Sequence, residues 1–339
     1  MFLKFQPFFI IGESPIHAGS GSEVGIVDLP TQRERHTNFP KIEGSGLKGC
    51  IREAVKSSNK EVEINSQKIR PQDKINQKEN YLSLVFGPED GDKHAGATSF
   101  TDAKILLFPV KSLKGVFAWI TCPMVLNRFI EDMKIVSKGI DLNWQIKKPD
   151  QGKAFVPPSS DILIDNDNNN KVVVLEEYTY EVIENEGTSK IVEEIAKWFS
   201  ENIFPSGDVY NYWKEKLAKD LVILRDDEFK NFVSTSTEVI TRTKIDPETG
   251  TVQSGALWTE EYLPQDTILY SIAMASAIRV KEDNEKGVLK GNTAEEEAKK
   301  VIDFLSQAMP ETIQIGGNQT IGKGLGRINF FNMEGKNEK

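Results

Sequence analysis

Short apolar runs and helical stripes alternate along this sequence, and together they predict a structure that mixes strands and helices. Apolar segments bounded by turn residues predict strands, and they lie at residues 2–11, 98–109, 115–122, 267–280, 312–315 and 325–332. The first contains Pro7, which has no N–H to give to a sheet, so we expect this strand at an edge or a bulge. No run approaches the roughly 18 to 20 apolar residues that a membrane-spanning helix needs.

Two helices follow from apolar residues at helical spacing. Residues 44–58 carry an apolar stripe with basic residues on the opposite side. Residues 293–308 begin at Thr293 and have Glu296 three positions later, which is the spacing of a capping box. If the middle of the chain is treated as insertions, the order is strand, helix, strand, strand, helix, strand. This is the βαββαβ order of a ferredoxin-like or RRM-like α+β fold.

Residues 237–264 have the pattern of a long β-hairpin. Apolar and polar residues alternate on both sides of a Pro/Gly turn at 246–250. Trp258 and Tyr262 fall near the base of this hairpin. Two roles stay open for them, because exposed aromatic rings stack on nucleic-acid bases whereas buried ones anchor a hairpin in the core.

Three other segments have few apolar residues. Residues 12–43 form a long polar stretch, and a loop of this length in a compact protein is usually functional or disordered. Residues 56–80 predict an exposed insertion. Residues 158–235 predict an acidic insertion with strands near 172–183 and 220–224 and a helix near 189–201.

Composition adds an uneven charge distribution. The 339 residues are 38% hydrophobic and carry a formal net charge of −9, which excludes a disordered polymer and disfavours a basic protein that coats nucleic acid. Residues 158–235 hold 17 acidic and 8 basic side chains, so the whole excess lies there. Cys50 and Cys122 are too few for a four-thiolate zinc site or a disulfide framework, which favours a reduced, cytoplasmic setting. Since no apolar run is long enough to span a membrane, we expect no membrane partner.

The segment Gly44–Gly49 (GSGLKG) matches the dinucleotide fingerprint G-x-G-x-x-G, but no buried strand precedes it, which disfavours a nucleotide cofactor. A glycine-rich turn that opens a helix still presents free N–H groups to an anion, and Lys48 adds a positive charge. This arrangement suits a nucleic-acid phosphate. The alternative is a tight turn that needs glycine for its backbone angles.

A second glycine segment spans residues 316–326. It contains most of a Walker A motif, but Gly324 replaces the Ser or Thr that should reach magnesium, and no helix follows, so we exclude an NTPase. What remains is a flexible glycine loop with Lys323 and Arg327. Its backbone suits close approach to a phosphate chain, and the alternative is a loose turn between two strands.

The polar stretch 12–43 holds two of the three histidines, His17 and His36, and a carboxylate, Asp28, among basic neighbours. A loop carboxylate in such surroundings suits metal binding or proton transfer. A lone loop aspartate also serves commonly as a turn or capping residue, so the residues alone leave both roles open.

Four stretches together resemble the backbone RAMP subunits of type III-B (Cmr) CRISPR effectors. They are IHAGSGSEVGIVDLPTQRERHTNFPKIEGSGLKGCIRE at 16–53, LVFGPEDGDKHAGATSFTDAKILLFPV at 84–110, ITRTKIDPETGTVQSGALWTEEYLP at 240–264 and GGNQTIGKGLGRI at 316–328. The resemblance implies one RRM-like palm across residues 1–339, with 237–264 as a thumb hairpin. It also implies that several copies stack as a filament along a guide RNA, together with other Cmr subunits.

The same resemblance implies an endoribonuclease that cuts a complementary target RNA once per subunit at regular spacing. Asp28 occupies the position of the family's catalytic loop aspartate, and His17, Glu260 and Tyr262 match positions near the cleavage site. A divalent ion, Mg or Mn, is expected with Asp28 as its protein ligand. With one candidate carboxylate in the loop, we expect the ion to be weakly held and target-dependent. Whether Asp28 is a general base or a metal ligand stays open.

Guide-RNA contacts are expected along the two glycine segments and the hairpin. The residues are Ser45, Lys48, Gly49, Arg52, Arg242, Lys244, Trp258, Gly317, Lys323, Gly324 and Arg327. The acidic segment 158–235 is expected to face away from the guide. One alternative is a non-catalytic guide-RNA scaffold. Another is a guide-processing endonuclease of the same superfamily, which the multi-motif match disfavours because such an enzyme acts alone and does not need the thumb.

Overall fold

The computed structural model describes residues 1–22, 25–75, 79–91, 93–136, 140, 142–166 and 170–332. Within them the helices are α1 (Gly44–Ser58), α2 (Tyr81–Phe86), α3 (Pro123–Val136), α4 (Glu186–Ile203), α5 (Asn211–Lys219), α6 (Asp226–Thr235) and α7 (Ala294–Ala308). The strands are β1 (Lys4–Gly12), β2 (Lys41–Ile42), β3 (Val62–Ile64), β4 (Gln67–Ile69), β5 (Thr98–Phe100), β6 (Ala103–Lys111), β7 (Phe117–Thr121), β8 (Lys153–Ala154), β9 (Ile164–Asp165), β10 (Lys171–Leu175), β11 (Tyr178–Val182), β12 (Leu221–Ile223), β13 (Glu238–Ile245), β14 (Val252–Tyr262), β15 (Ile268–Ala275), β16 (Thr312–Gln314) and β17 (Leu325–Phe330).

One mixed sheet organises the molecule. Its strand order is β12-β7-β6-β15-β1-β17-β16, with the short β2 on β6 and β5 on β15. The central strands β17, β1, β15 and β6 are all antiparallel to their neighbours. Helix α1 follows β1 in the chain, and α7 lies between β15 and β17. The fold is therefore of the mixed α+β type, and β1, the first strand of the chain, lies inside its main sheet.

Helices cover both faces of the sheet at β1. Successive residues of a strand point to opposite faces, and in β1 they are apolar on both, so both faces must be buried. The ring of Phe9 contacts those of Phe129 in α3 and Trp198 in α4. The ring of Phe8 instead contacts Phe100, which stacks on Phe86 of α2. A strand buried on both faces reads as a continuous apolar run, and this explains the uninterrupted FFII sequence.

The expectation that Pro7 marks an edge strand or a bulge is wrong, because β1 is paired on both sides. Pairing with β17 begins at Phe8, one residue after the proline. The Pro7 carbonyl accepts a hydrogen bond from the Phe331 N–H at 3.0 Å, so that side of Pro7 faces the chain just beyond β17. The missing N–H would face the Phe331 carbonyl at the end of this ladder, and that carbonyl accepts instead from Gln6 Nε2 at 2.6 Å.

The segment 56–80 is less exposed than expected. Its first residues belong to α1, and β3 and β4 form a small hairpin that buries Val62, Ile64 and Ile69. The backbone of Glu63 exchanges two hydrogen bonds with the Gln307 side chain of α7, at 3.0 and 3.1 Å. Three apolar side chains on one face are enough to fasten this hairpin to α7, so only its polar face meets solvent.

The acidic segment 158–235 is built into the main sheet. Strand β12 pairs in parallel with β7, and Trp198 of α4 packs against β1. The region near 172–183 is two strands, β10 and β11, that turn at Glu176, which has a positive φ of 50°. Apolar side chains of this segment therefore complete the core, while most of its charges lie on the other faces. Its assignment as an insertion stays a prediction.

Strands β13 and β14 form a two-stranded antiparallel hairpin outside the main sheet. Pairing runs from Glu238↔Tyr262 to Ile245↔Val252, with an irregularity between Thr243 and Ile245. The turn is closed by the Asp246 carboxylate, which accepts hydrogen bonds from the backbone N–H groups of Glu248 and Thr249 at 2.8 and 3.1 Å. Within the described residues, no helix is long and apolar enough to cross a membrane.

Candidate functional site

The polar stretch 12–43 is held against the base of the hairpin by backbone hydrogen bonds. Ile16 and Leu263 exchange two bonds of 2.9 Å. Further along, the Leu29 N–H donates to the Thr259 carbonyl at 3.0 Å, and the Leu29 carbonyl accepts from the Glu261 N–H at 3.0 Å. The stretch therefore adds two short bridges to the edge of β14 that β13 leaves free. Although the stretch 12–43 has little regular structure, these bonds fix the position of its backbone near its polar side chains.

Asp28 is exposed at this edge, with one carboxylate oxygen held in place. Its Oδ2 accepts hydrogen bonds from the N–H and the hydroxyl of Thr259, both at 2.8 Å. Its own N–H donates to the Thr259 hydroxyl at 3.0 Å. The backbone and side-chain bonds from Thr259 lower the pKa of the Asp28 carboxyl. Asp28 is therefore ionised at neutral pH, which makes it a good ligand for a cation and a weak proton acceptor.

His17 lies at the same edge, and its tautomer is fixed by a backbone contact. The Nδ1 atom is 2.7 Å from the Glu261 carbonyl, which can only accept, so Nδ1 carries a hydrogen. In the neutral form of the imidazole the lone pair is then on Nε2. The imidazole packs beside the Tyr262 ring, with centroids 5.4 Å apart. A Cβ on Gly19 would come within 2.8 Å of Nε2, so only glycine leaves that nitrogen accessible from its side.

Asp28 and His17, eleven positions apart in the sequence, both attach to the same edge of β14. Asp28 is bound to Thr259 and His17 to Glu261, two residues further along the same edge of β14. That separation corresponds to about 7 Å along a strand. An ionised carboxylate and an imidazole lone pair thus line one short stretch of the hairpin base.

Glu260 points to the other face of the hairpin and is surrounded by donors. It accepts hydrogen bonds from Trp258 Nε1 at 2.9 Å, Asn318 Nδ2 at 3.0 Å and Arg242 Nε at 3.2 Å. The Tyr262 hydroxyl donates a fourth. Burial favours the neutral form of Glu260, but the bonds from Trp258, Tyr262 and Arg242 outweigh it, so the Glu260 pKa is lowered. Glu260 is therefore saturated as an acceptor and unsuited to take a proton from a substrate.

Tyr262 is completely buried. Its hydroxyl accepts hydrogen bonds from Asn318 Nδ2 at 2.8 Å and Arg242 Nη2 at 3.0 Å. Burial, together with the neighbouring Glu260 carboxylate, raises the Tyr262 pKa, so the phenol stays protonated. The Lys323 ammonium sits 5.1 Å from the ring centroid. Glu260 and Tyr262 thus organise the surrounding cations and the glycine loop, and we treat them as positioning residues rather than groups in contact with RNA.

Two members of this site were missed in the sequence. Asn318 lies in the glycine loop with a left-handed backbone (φ 67°) and bridges Glu260 and Tyr262. Glu261 is buried and accepts from the Thr31 N–H at 2.8 Å, the Thr237 hydroxyl at 2.8 Å and the Arg33 guanidinium at 2.5 Å. The alternation of the hairpin pattern could have shown that Glu261 faces opposite to Glu260, toward the polar stretch.

The glycine loop packs directly on the polar stretch. The Gly317 N–H donates to the His17 carbonyl at 3.1 Å, and the Gly324 N–H donates to the Pro15 carbonyl at 2.9 Å. Gly316 has φ +74°, and a Cβ there would lie 2.0 Å from the His17 carbonyl oxygen. Glycine is needed for this approach, so the interpretation as a merely loose turn does not fit. Two segments 300 residues apart in the sequence form one surface.

The middle and last turns of α1 meet this loop across a cleft of about 660 Å³, which Gly49, Glu53, Gly316 and Gln319 line. Ser45 is exposed in the first turn. The N–H of Gly44, however, donates to Asp102 Oδ1 at 2.9 Å. One of the amides expected to bind a phosphate is therefore already occupied by a carboxylate.

The structure separates other predicted RNA contacts from this cleft. The Lys48 ammonium donates to the Thr98 carbonyl at 2.8 Å, and Arg52 lies one turn further along α1. Arg327 is paired with Glu13 and, at 3.1 Å, with Glu311. Its charge is compensated within the protein, so it is a poorer phosphate ligand than its sequence position indicates.

The two remaining predicted contacts lie on the hairpin. Arg242 is directed to Glu260 and Tyr262 as described, and Trp258 is half-buried with its indole N–H on Glu260. Lys244 is exposed further toward the hairpin turn. Arg242 and Trp258 thus belong to the Glu260 network, whereas Lys244 stands apart from it.

The described residues contain no group of three or more His, Cys, Asp or Glu side chains that could hold a metal ion. A magnesium ion takes six oxygen ligands and keeps several waters. One exposed carboxylate, Asp28, does not provide a resident site of this kind. These residues fit an ion that depends on oxygens from another molecule, not one held by the protein alone.

Part of the acidic segment touches the site region. The Arg33 guanidinium donates to the Val233 carbonyl of α6 at 2.9 Å, and the Asn38 amide donates to the Ser234 hydroxyl at 3.2 Å. Helix α6 therefore supports the polar stretch. The expectation that residues 158–235 face away from the guide stays a prediction for the rest of the segment.

Known proteins resemble this chain over most of its length. The sequence profile of the RAMP superfamily matches residues 10–327. A protein of Pyrococcus furiosus named CRISPR system Cmr endoribonuclease Cmr4 is 38% identical over 317 residues, covering 93% of this chain and 92% of that protein.

Solved structures agree with this. The crystal structure of oligomeric Cmr4 from Pyrococcus furiosus superposes with a TM-score of 0.65 at 28% identity, covering 97% of this chain and 98% of that one. A subunit in a cryo-EM structure of the type III-B Cmr-beta complex bound to cognate target RNA has a TM-score of 0.65 at 21% identity over 97% and 98% of the two chains, which shows a shared fold. Profile, sequence and fold coincide over nearly the whole length, and the chain belongs to the RAMP superfamily.

Proposed function

We propose that this protein is the RNA-cleaving backbone subunit of a type III-B (Cmr) CRISPR complex. It binds guide RNA, stacks with further copies of itself and with other Cmr subunits, and cuts complementary target RNA once per subunit. The 38% identity to a named Cmr endoribonuclease over 93% of the chain supports this activity. The oligomeric form named for the related crystal structure supports self-association.

We further propose that the central sheet is a ferredoxin-like palm and the hairpin its thumb. The order β17-β1-β15-β6, with α1 and α7 as the two connections, has the sequence of elements expected for βαββαβ. The position of β13 and β14 outside the sheet supports a thumb that contacts RNA rather than the core.

The observation that carries the nuclease proposal is the placement of Asp28 and His17 on one edge of β14. RNA cleavage by its own 2′-hydroxyl needs a proton acceptor and a charge that steadies the phosphate. The His17 Nε2 lone pair would accept the 2′-hydroxyl proton while the 2′-oxygen bonds to phosphorus. The bond from phosphorus to the 5′-oxygen would break, and the leaving oxygen would take a proton from water, which gives a 2′,3′-cyclic phosphate and a 5′-hydroxyl. The ionised Asp28 would hold a magnesium or manganese ion together with RNA oxygens, and such an ion neutralises phosphate charge.

The hairpin base would also promote cleavage by displacing a nucleotide of the target RNA. Stacked A-form RNA does not hold the 2′-oxygen in line with the bond that breaks, so a displaced nucleotide is required. A rigid hairpin fixed by the Glu260 and Glu261 networks can displace a nucleotide at the place where Asp28 and His17 lie. Target choice would come from base pairing with the guide.

One observation favours a second candidate, a non-catalytic guide-RNA scaffold. The bonds between Asp28 and Thr259 are those of a residue that fastens a loop to a strand, and they do not require catalysis. In that case the same surfaces bind guide RNA while Asp28 has a structural role.

The test is Asp28→Asn in the assembled complex with a complementary RNA and magnesium. The amide keeps the size of the side chain and an oxygen that can accept from Thr259, but it removes the charge. We expect assembly by native mass spectrometry to be unchanged and the cleavage rate to fall by on the order of 100-fold or more. Asp150→Asn, at an exposed position away from the hairpin, is the matched control. Full-rate cleavage by an intact Asp28→Asn complex would overturn the catalytic role of Asp28. A wild-type complex that binds guide RNA but cuts no target with any divalent metal would establish the scaffold.

A further inference from the structure

The hydroxyl and the N–H of Thr259, near the end of β14, both meet Asp28. The hydroxyl accepts a hydrogen bond from the Asp28 N–H at 3.0 Å and donates one to Asp28 Oδ2 at 2.8 Å. The Thr259 N–H donates to the same Oδ2 at 2.8 Å. Three hydrogen bonds therefore join two residues that lie 231 positions apart in the sequence.

One oxygen of the Asp28 carboxylate is occupied by these bonds and the other is available. Oδ2 accepts from both donors of Thr259, which use the two lone pairs of a carboxylate oxygen. Among the described residues, no other residue donates a hydrogen bond to Oδ1. Because the Asp28 side chain is exposed, Oδ1 can meet a bound molecule or ion. The pair thus offers a single carboxylate oxygen to an incoming partner.

The polar stretch does not need the Thr259 hydroxyl to stay in place. The Leu29 N–H donates to the Thr259 carbonyl at 3.0 Å, and the Leu29 carbonyl accepts from the Glu261 N–H at 3.0 Å. Two residues further on, the Thr31 N–H and hydroxyl donate to Glu261 Oε2 at 2.8 and 3.0 Å. Since these bonds already fasten the backbone beside Asp28, the bonds from the Thr259 hydroxyl act mainly on the direction of the carboxylate.

We propose that Thr259 is a positioning residue that selects the metal. By saturating Oδ2 it makes Asp28 a ligand with one oxygen, which favours Mg²⁺ or Mn²⁺ over Ca²⁺. Mg²⁺ demands near-ideal octahedral geometry, whereas Ca²⁺ is larger, accepts more oxygens and often takes both oxygens of one carboxylate. This inference rests on the proposed function, in which Asp28 holds the ion, and it assigns a role to a residue that the sequence did not indicate.

The experiment measures metal binding by the assembled complex with guide RNA and a target that carries 2′-deoxynucleotides at the cut positions. Bound Mn²⁺ is followed by electron paramagnetic resonance and displaced with Ca²⁺, which gives the ratio of the Ca²⁺ and Mn²⁺ dissociation constants. The signal of the Asp28→Asn complex is subtracted as background. Thr259→Val keeps the size, the β-branch and the N–H but removes the hydroxyl, so we expect this ratio to fall by about 5-fold or more.

Three further variants separate the hydroxyl from the fold of the hairpin. Thr259→Ser keeps the hydroxyl and should keep the wild-type ratio. Thr259→Ala lacks it and should lower the ratio as Thr259→Val does. Thr243→Val makes the same change at an exposed position of β13 and is the matched control, with the wild-type ratio expected. Native mass spectrometry checks that each complex contains the same subunits.

The outcomes separate this inference from the proposed function. A wild-type complex that cuts no unmodified target with any divalent ion would overturn the proposed function itself. If the wild type cuts its target, an unchanged ratio in Thr259→Val or Thr259→Ala overturns the role of Thr259 alone. An equal fall in Thr259→Ser or Thr243→Val has the same meaning, because both keep a hydroxyl at position 259. Equal Mn²⁺ signals from the wild type and Asp28→Asn also overturn it.

Discussion

Neighbouring hydrogen-bond donors decide the charge state of single carboxylates around the hairpin base. Asp28 and Glu260 both have lowered pKa values because N–H and O–H groups point at them. Asp266, between the hairpin and β15, shows the opposite behaviour. Burial and the nearby charge of Glu13 raise its pKa to about 6, against a smaller lowering by Lys216. Carboxyl groups around the hairpin base thus differ in pKa according to what surrounds them.

The first prediction concerns Asp266 and pH. Because its pKa is raised on folding, the folded protein binds more protons than the unfolded chain between about pH 4 and 6. Its ionisation therefore costs stability as pH rises through that window. Asp266→Asn cannot ionise, so we expect it to melt higher than wild type at pH 8 and to lose this pH-dependent advantage at pH 4. Thermal unfolding from pH 4 to pH 8 checks this.

Asp246 provides the control with the opposite sign. Hydrogen bonds from the Thr249 and Glu248 N–H groups lower its pKa. Asp246→Asn should therefore reduce stability at neutral pH and have less effect in acid. A melting difference for Asp266→Asn that is the same at every pH would contradict the assignment of a raised pKa.

The second prediction concerns Asn318 as a positioning residue. Its amide holds Glu260 and Tyr262 together, and a hydrogen bond to a charged group contributes about 1.5–3 kcal/mol. Asn318→Ala should slow target cleavage at saturating target by about 10-fold or more while guide binding is retained. Single-turnover cleavage and guide affinity are measured side by side. Asn292→Ala, at an exposed position, is the control; an equal loss in both readouts would indicate a merely structural role.

At the scale of elements, glycine is required in one of the two glycine segments and replaceable in the other. Gly324 has φ +83°, and a Cβ there would lie 2.4 Å from the Ile315 carbonyl oxygen. Gly46 lies within α1, and a Cβ there meets nothing within 4 Å. The glycine loop therefore needs glycine for its course, whereas the helix tolerates a side chain.

The third prediction uses this pair. Gly324→Ala should destabilise the protein by about 1–3 kcal/mol, because alanine is strained in left-handed backbone and collides with a carbonyl. Gly46→Ala should stabilise it by about 0.5–1 kcal/mol through helix propensity. Urea unfolding of both variants measures the difference. Equal effects at the two positions would show that the loop is not held in the described conformation.

Elements also differ in how well their sequence predicts them. The strand at β1, the helices α1 and α7 and the hairpin turn at Asp246 all carry local signals, such as apolar periodicity, capping spacing or turn residues. The place of β12 beside β7 has no local signal, because parallel pairing across 100 residues depends on the rest of the sheet. The same holds for Pro7, whose tolerance depends on where β17 ends.

At the scale of the whole molecule, charge compensation decides which cations remain available to RNA. The net charge of −9 arises in residues 158–235, part of which packs into the core. Lys323 lies over the Tyr262 ring and is 3.9 Å from Glu238, whereas Arg327 is held by two carboxylates. The two cations, four positions apart in the sequence, therefore differ in their freedom to bind a phosphate.

The fourth prediction follows from this difference. Lys323→Gln should weaken guide-RNA binding irrespective of sequence and reduce the salt slope by about 0.7. Arg327→Gln should change the slope less, because its charge is already compensated, and should lower thermal stability by leaving Glu13 and Glu311 without a partner. Filter binding across salt concentrations separates the two. A larger slope change for Arg327→Gln would contradict this assignment.

The sequence by itself determined the α+β class, the central strands, the helices α1 and α7, the hairpin and the resemblance to RAMP subunits. These depend on local periodicity or on the motifs that carry the resemblance. It also indicated Asp28 and His17. Only the tertiary structure decided what each charged group contacts. Asp28 meets Thr259 across 231 positions, Glu260 meets Asn318 across 58, and Arg327 meets Glu13 across 314. A side chain's charge and role depend on such partners, and no local pattern specifies them.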